Sequence, residues 1–291
     1  DLGARNPRAV FGGALLLIGA LYVVALVLAM LGAVAGGGVP ATDGQATPDV
    51  ARMLMAAIPL FLLVMLLVPV LLGGLMHVIR EAEAGRPVRA RDVFAPLRSA
   101  TGRRLALLGL VQLGLALVGG LLMVLLAGGD YLRDYLTAMQ GAMQGSLPAM
   151  PQPNNPGLLF VVQLVFNYFS YALMLLSIPL MLFSGQALGG ALRGALRASV
   201  RNVGANLLAG VLFAGALLLG MLVMLLVGGL LALVGNLVHA AVGSLLTALV
   251  LLGFAAVVLV LIVGGAYLAW RDTFGDSAQP PPAPVAHGIE V

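Results

Sequence analysis

Six uninterrupted apolar stretches govern what this chain can fold into. They cover residues 10–35, 53–79, 105–127, 157–183, 207–234 and 244–270, and none contains Asp, Glu or Arg. Each exceeds the roughly 18 residues that mark a membrane-crossing helix. Hydrocarbon offers no partner to a free backbone N–H or C=O, so a span of this length must close its hydrogen bonds internally, as a helix. Only 9% of the residues are charged, against about 25% in a soluble domain. The pattern predicts an all-α fold: a polytopic membrane bundle of six transmembrane helices, with short amphipathic helices at the interface. Residues Ala33, Val34 and Ala35 resemble a signal-peptidase site, but a signal h-region runs only about 7–15 residues. An uncleaved first span is therefore expected.

Arginine placement orients the bundle. The chain has 15 basic residues, all of them Arg, and with its Ala, Gly, Leu, Val and Pro usage it looks like the product of a high-GC bacterial genome. Arg5 and Arg8 precede the first span. Arg80, Arg86, Arg89, Arg91, Arg98, Arg103 and Arg104 fall between spans two and three. Arg193, Arg197 and Arg201 fall between spans four and five, and Arg271 follows the sixth. The other side carries only Arg52 and Arg133, a bias of thirteen to two. By the positive-inside rule both termini and both Arg-rich loops are expected in the cytoplasm, with the chain in a bacterial inner membrane. A net charge of +4, without a basic groove interleaved with aromatics, gives no reason to expect nucleic acid. The absence of Cys excludes disulfides, thiolate metal sites and cysteine nucleophiles.

The connections differ in character. Residues 36–51 read as Gly-, Pro- and Asp-bearing coil. In the second outer loop Asp130 is placed to cap a short helix, with Leu132, Tyr135, Leu136, Met139 and Met143 at helical spacing along an apolar face. The tail, 272–291, carries Pro280, Pro281 and Pro282 and is expected to be disordered and cytoplasmic. A faint repeat pairs Leu97-Arg98-Ser99-Ala100, before the third span, with Leu196-Arg197-Ala198-Ser199, before the fifth. Each follows a proline near the inner end of a span, Pro69 and Pro179.

Residues 69–110 carry a resemblance. A span ending in a Pro-bearing LLGGL leads through a short charged loop with G-x-P (Gly85-Arg86-Pro87) to a helix start at Asp92-Val93-Phe94 and into the next span. This resembles a family of uncharacterised proteobacterial six-span inner-membrane proteins, with weaker likeness around 179–220. More distantly it is similar to the membrane domain attached to some glycerophosphodiester phosphodiesterases. The resemblance implies a fold and a location. It brings no phosphodiesterase chemistry, since no such catalytic domain is present in the sequence.

Three groups of residues are candidates for function. On the fourth span Gln163, Asn167, Ser170 and Tyr171 fall at i, i+4, i+7 and i+8, with Gln112 of the third span and Ser177 as possible partners. Such a face either bonds helices together or lines a polar path for a small solute; the first is preferred because a path usually also carries a charge or an unwound segment. His77, near the inner end of the second span, has no second His, Asp or Glu in any span to work with. Three scattered histidines, His77, His239 and His287, do not form a metal-ligand set. The basic segments are the most informative. Arg193, Arg197 and Arg201 recur every four residues, making one stripe on a helix, and Leu188, Leu192, Leu196 and Val200 line the adjacent face. That is the pattern of a helix lying on the inner leaflet; a topology anchor without ligand preference is the plainer alternative. Arg98, Arg103 and Arg104 are grouped with the stripe as candidate headgroup contacts.

The sequence shows no nucleophile with a base and no metal constellation, so an enzyme is not expected, nor a cofactor. The expectation is a non-enzymatic multi-pass membrane protein that binds anionic lipid headgroups, or a partner protein, through its cytoplasmic Arg-rich loops. The alternative is a small-solute transporter or channel using the polar face of the fourth span.

Overall fold

The computed structural model describes residues 6–35, 50–143 and 151–275. These residues are almost wholly helical. The helices are α1 (Pro7–Ala35), α2 (Val50–Glu83), a 3-10 helix (Ala90–Arg98), α3 (Ala100–Ala127), α4 (Gly129–Met143), α5 (Pro156–Leu182), α6 (Leu188–Arg201), α7 (Val203–Val238) and α8 (Ala240–Phe274). Six of them (α1, α2, α3, α5, α7 and α8) are long and apolar enough to cross a membrane. The protein is a multi-pass all-α membrane bundle. The coil expected at 36–51 and the Pro-rich tail lie largely outside the described residues.

Local chemistry sets where the helices begin. Asn6 caps α1 by accepting a hydrogen bond from the Ala9 N–H at 3.2 Å, and its amide donates to the Val88 carbonyl at 3.2 Å. Pro7 and Pro156 occupy first-turn positions, where a missing N–H leaves no gap in the ladder. Ser99 caps α3, its hydroxyl accepting from the Gly102 N–H at 3.1 Å. His239 closes the α7–α8 turn by accepting the Ala241 N–H at Nδ1, 3.1 Å away.

Packing is concentrated at the Arg-rich end. Val10 and Ala14 of α1, Leu75 and Met76 of α2, Leu105 and Leu108 of α3, Ile178 and Leu180 of α5, and Val263 of α8 are all fully buried there. Toward the other end Met30, Val34, Leu121, Leu125, Leu158 and Phe160 are exposed, as suits side chains solvated by lipid rather than by protein. Helix α7 joins the bundle mainly through α8. A Cβ built on Gly235 would lie 2.6 Å from the Gly243 Cα, so the two backbones nearly touch.

The helix start expected at Asp92-Val93-Phe94 lies in the opening turns of a short helix that is separate from the third span. These residues belong to a separate 3-10 helix that ends at Arg98, and an extended Ser99 (φ −110°, ψ 159°) divides it from α3. Two glycines allow this segment to nest against α1, α2 and α3. A Cβ on Gly74 would fall 1.7 Å from the Val93 carbonyl oxygen, and one on Gly102 would fall 1.9 Å from that of Pro96. A third contact joins α2 to α3 directly. Pro69 has no N–H for the Met65 carbonyl, and that oxygen would stand 2.2 Å from a Cβ on Gly109. The bare glycine leaves the room that this carbonyl needs.

The faint repeat does not extend to local structure. Leu97-Arg98-Ser99-Ala100 spans the end of a 3-10 helix and a cap, whereas Leu196-Arg197-Ala198-Ser199 lies inside α6.

Candidate functional site

Helix α6 has three faces rather than two. At about 100° per residue, Ala191, Ala195 and Ala198 fall on one side with Ser199, and all four are buried. Small side chains seat α6 on α5: Ala191 and Ala195 are fully buried, and a Cβ on Gly194 would meet the Leu180 side chain at ordinary contact distance, 3.5 Å. Leu196 and Val200 fall on the next sector and are 44% and 56% exposed. Arg193, Arg197 and Arg201 form the third sector and are also exposed. The alanine face holds the helix to the protein with Leu188 and Leu192 packed beside it, which leaves Leu196, Val200 and the three arginines for the surroundings.

A hydrogen-bonded tyrosine fixes this arrangement. The Tyr168 hydroxyl of α5 donates to the Ser199 carbonyl at 3.0 Å and accepts from the Asn206 amide of α7 at 3.0 Å. The Ser199 hydroxyl donates back to the Ala195 carbonyl at 2.8 Å. One side chain thus ties α5, α6 and α7 together. Sequence reasoning passed over Tyr168 because it lies about 100° around α5 from Asn167, off the polar face that periodicity picks out.

The polar face itself is not brought together as a unit. Tyr171 is 64% exposed and points away from the bundle. Gln163, Asn167 and Ser170 are half-buried. The Gln112 Oε1, Ser170 Oγ and Ser177 Oγ atoms are buried and find no hydrogen-bond partner among the described residues.

Arg98, Arg103 and Arg104 are exposed around the start of α3. Nearby acids are engaged locally. Glu81 forms a two-pronged pair with Arg86, holding that guanidinium above its ordinary pKa by a hydrogen bond and by charge. Glu83 pairs with Arg271, and an Asp92 carboxylate oxygen accepts the Arg89 N–H at 2.8 Å.

Beside these pairs sits an aromatic cluster that sequence patterning missed. The Arg80 guanidinium lies 4.6 Å from the centre of the Phe183 ring. That ring packs edge-on to Tyr267 at 5.9 Å and against Trp270 at 5.1 Å. The Trp270 indole N–H donates to the Ser184 hydroxyl at 3.3 Å. The contacts join the Arg-rich ends of α2, α5 and α8. The signal available in the sequence was the sole Trp, one residue from Arg271.

His77 is half-buried in α2. Among the described residues no group of His, Asp and Glu is placed to hold a metal ion. No family model, curated protein or solved structure matches this chain.

Proposed function

We propose that this protein is a non-enzymatic membrane component that gathers anionic phospholipid on the cytoplasmic leaflet of a bacterial inner membrane. The observation that carries the reading is the three-sided α6: alanines docked on the bundle, with Leu196, Val200 and the Arg193–Arg197–Arg201 stripe left outward. A helix held this way presents its leucine edge to acyl chains and its guanidinium groups to headgroups. Planar guanidinium forks suit phosphate oxygens because they can bind two at once. Each basic residue near an anionic leaflet is worth about 1 kcal/mol, so the stripe supplies about 3 kcal/mol before side-chain ordering is subtracted. The thirteen-to-two arginine bias supports a cytoplasmic position for this end. The resemblance of residues 69–110 to six-span inner-membrane proteins supports the same placement.

The test uses the purified full chain in nanodiscs of mixed phosphatidylglycerol and phosphatidylethanolamine, with the retained lipid identified by mass spectrometry. Enrichment of phosphatidylglycerol is expected, weakening as salt shortens the screening length. The triple variant R193Q/R197Q/R201Q should lower that enrichment. Equal retention of both lipids by the native chain would remove the proposal.

A second reading, passage of a small solute beside α5, draws on the unpartnered buried Gln112 Oε1 and Ser170 Oγ atoms. Solute uptake by proteoliposomes that is abolished in Asn167→Leu would favour it.

A further inference from the structure

Between α2 and the start of α3 lies an open groove of about 210 Å³, floored by Leu63, Leu66, Leu67 and Val70 of α2, with Leu97 and Arg103 among the residues that line it. Its existence follows from the glycine contacts. Helices α2 and α3 touch where the Met65 carbonyl meets Gly109. Farther toward the Arg-rich end the 3-10 helix, seated on Gly74 and Gly102, fills the space beside them. The groove runs along α2 beside these contacts, from Val70 to Leu63, and its wall is almost entirely hydrocarbon.

We propose that this groove holds one acyl chain of an anionic phospholipid, with the headgroup phosphate on Arg103 and with Arg98 and Arg104 beside it. The proposal deepens the lipid-binding reading and rests on it for the sign of the headgroup. Three observations select this occupant. From Val70 to Leu63 the groove runs about 10 Å along α2, which fits within one leaflet, half of the roughly 30 Å hydrocarbon core. The polar end of the groove is cationic: Arg103 lines it, and Arg98 and Arg104 are exposed next to it. Asp92 of that loop accepts the Arg89 N–H, and among the described residues no ion pair joins Arg98, Arg103 or Arg104 to an acid. Leu97 is 48% exposed at the groove, an apolar side chain left for an acyl chain to cover.

The absence of Cys in the native chain makes a site-specific reporter simple. Leu63, at the far end of the groove and 48% exposed, is replaced by Cys and labelled with bimane. The protein is placed in bilayers containing phosphatidylglycerol or phosphatidylcholine brominated on the acyl chains. Bromine quenches bimane on contact. Half-quenching is expected at a roughly fivefold lower mole fraction of the phosphatidylglycerol, the preference that one basic residue supplies. The same label at Leu121→Cys, on the lipid-facing side of α3, should show no preference. Adding Arg103→Gln to the Leu63 reporter should abolish the preference and leave quenching by phosphatidylcholine unchanged. Soluble glycerophosphate should not compete, because a headgroup alone gains nothing from the groove; competition would replace the lipid site with a phosphate site and overturn the proposal. Equal quenching by the two lipids at position 63 would also overturn it. Loss of preference at position 63 with lipid enrichment by α6 intact would remove the groove and leave the wider reading standing. Should Arg103→Gln fold poorly, Ala106→Phe fills the groove with every arginine kept, and it should lower quenching by both lipids.

Discussion

The Cα of Gly74 rests against the carbonyl oxygen of Val93, so closely that a Cβ there would approach to 1.7 Å. The obstacle is backbone and cannot rotate away. Gly74→Ala must therefore push the 3-10 helix off α2. A loss of about 1–3 kcal/mol is expected, as for other overpacked cores, read as a lower unfolding temperature in detergent. Gly120→Ala is the control, since nothing lies within 4 Å of its Cβ position. It should be neutral or stabilising by roughly 0.5–1 kcal/mol from helix propensity alone. Equal effects from the two would mean that the close approach does not exist.

Tyr168→Phe removes one hydroxyl that bonds to both Ser199 and Asn206. Interhelical hydrogen bonds in membranes are worth about 0.6–2 kcal/mol, and a loss in that range is expected. Asn167→Leu should cost less, because Tyr168 is the residue of this stretch that joins α6 and α7. If Asn167→Leu proves the more damaging in a thermal melt, the polar face holds the bundle and the Tyr168 tie does not.

The aromatic cluster has a built-in reporter. Trp270 is the sole Trp in the chain and is only 4% exposed. Its fluorescence should be blue-shifted and poorly quenched by acrylamide. Phe183→Ala removes the ring between Arg80 and Trp270, and a red shift with stronger quenching is expected. The stability loss should stay near or below the roughly 3 kcal/mol lower bound for Phe→Ala in a full core, because Phe183 is only partly buried. An unchanged spectrum would show that Phe183 does not shield the indole.

Orientation follows from arginine. Alkaline-phosphatase fusions after residues 45, 150 and 240 should be active, and those after 90, 195 and 275 inactive. Activity at 90 would invert the arrangement and place the α6 stripe on the wrong leaflet for anionic lipid.

Particular residues show what was legible in the sequence and what was not. Each apolar stretch falls on one long helix, because in hydrocarbon the backbone leaves no other choice. Periodicity found α6 as well, since an arginine every fourth residue has only one helical consequence. The same periodicity assigned its apolar contacts to Leu188, Leu192, Leu196 and Val200 and passed over Ala191, Ala195 and Ala198. Alanine is ambiguous by type: it becomes a docking surface only when a neighbour such as α5 comes close enough. The partners of Gly74 and Gly102 were unreadable for the same reason, because a glycine marks close packing without naming the backbone that approaches, and Val93 lies nineteen residues from Gly74. In the Phe183–Tyr267–Trp270 cluster Tyr267 and Trp270 share a face of α8 at i and i+3, but Phe183 lies far away in the chain and no spacing rule connects it to them.

In the proposed function the α6 arginines recognise phosphate and are more than a generic positive charge. Replacing Arg193, Arg197 and Arg201 together by Lys keeps the charge and the positive-inside signal but removes the planar forks. Native mass spectrometry of the detergent-extracted full chain then counts the anionic phospholipids that stay bound. Fewer should remain on the Lys variant than on the native protein, and the difference should survive matched salt. Unchanged retention would contradict the account and reduce the stripe to a topology anchor.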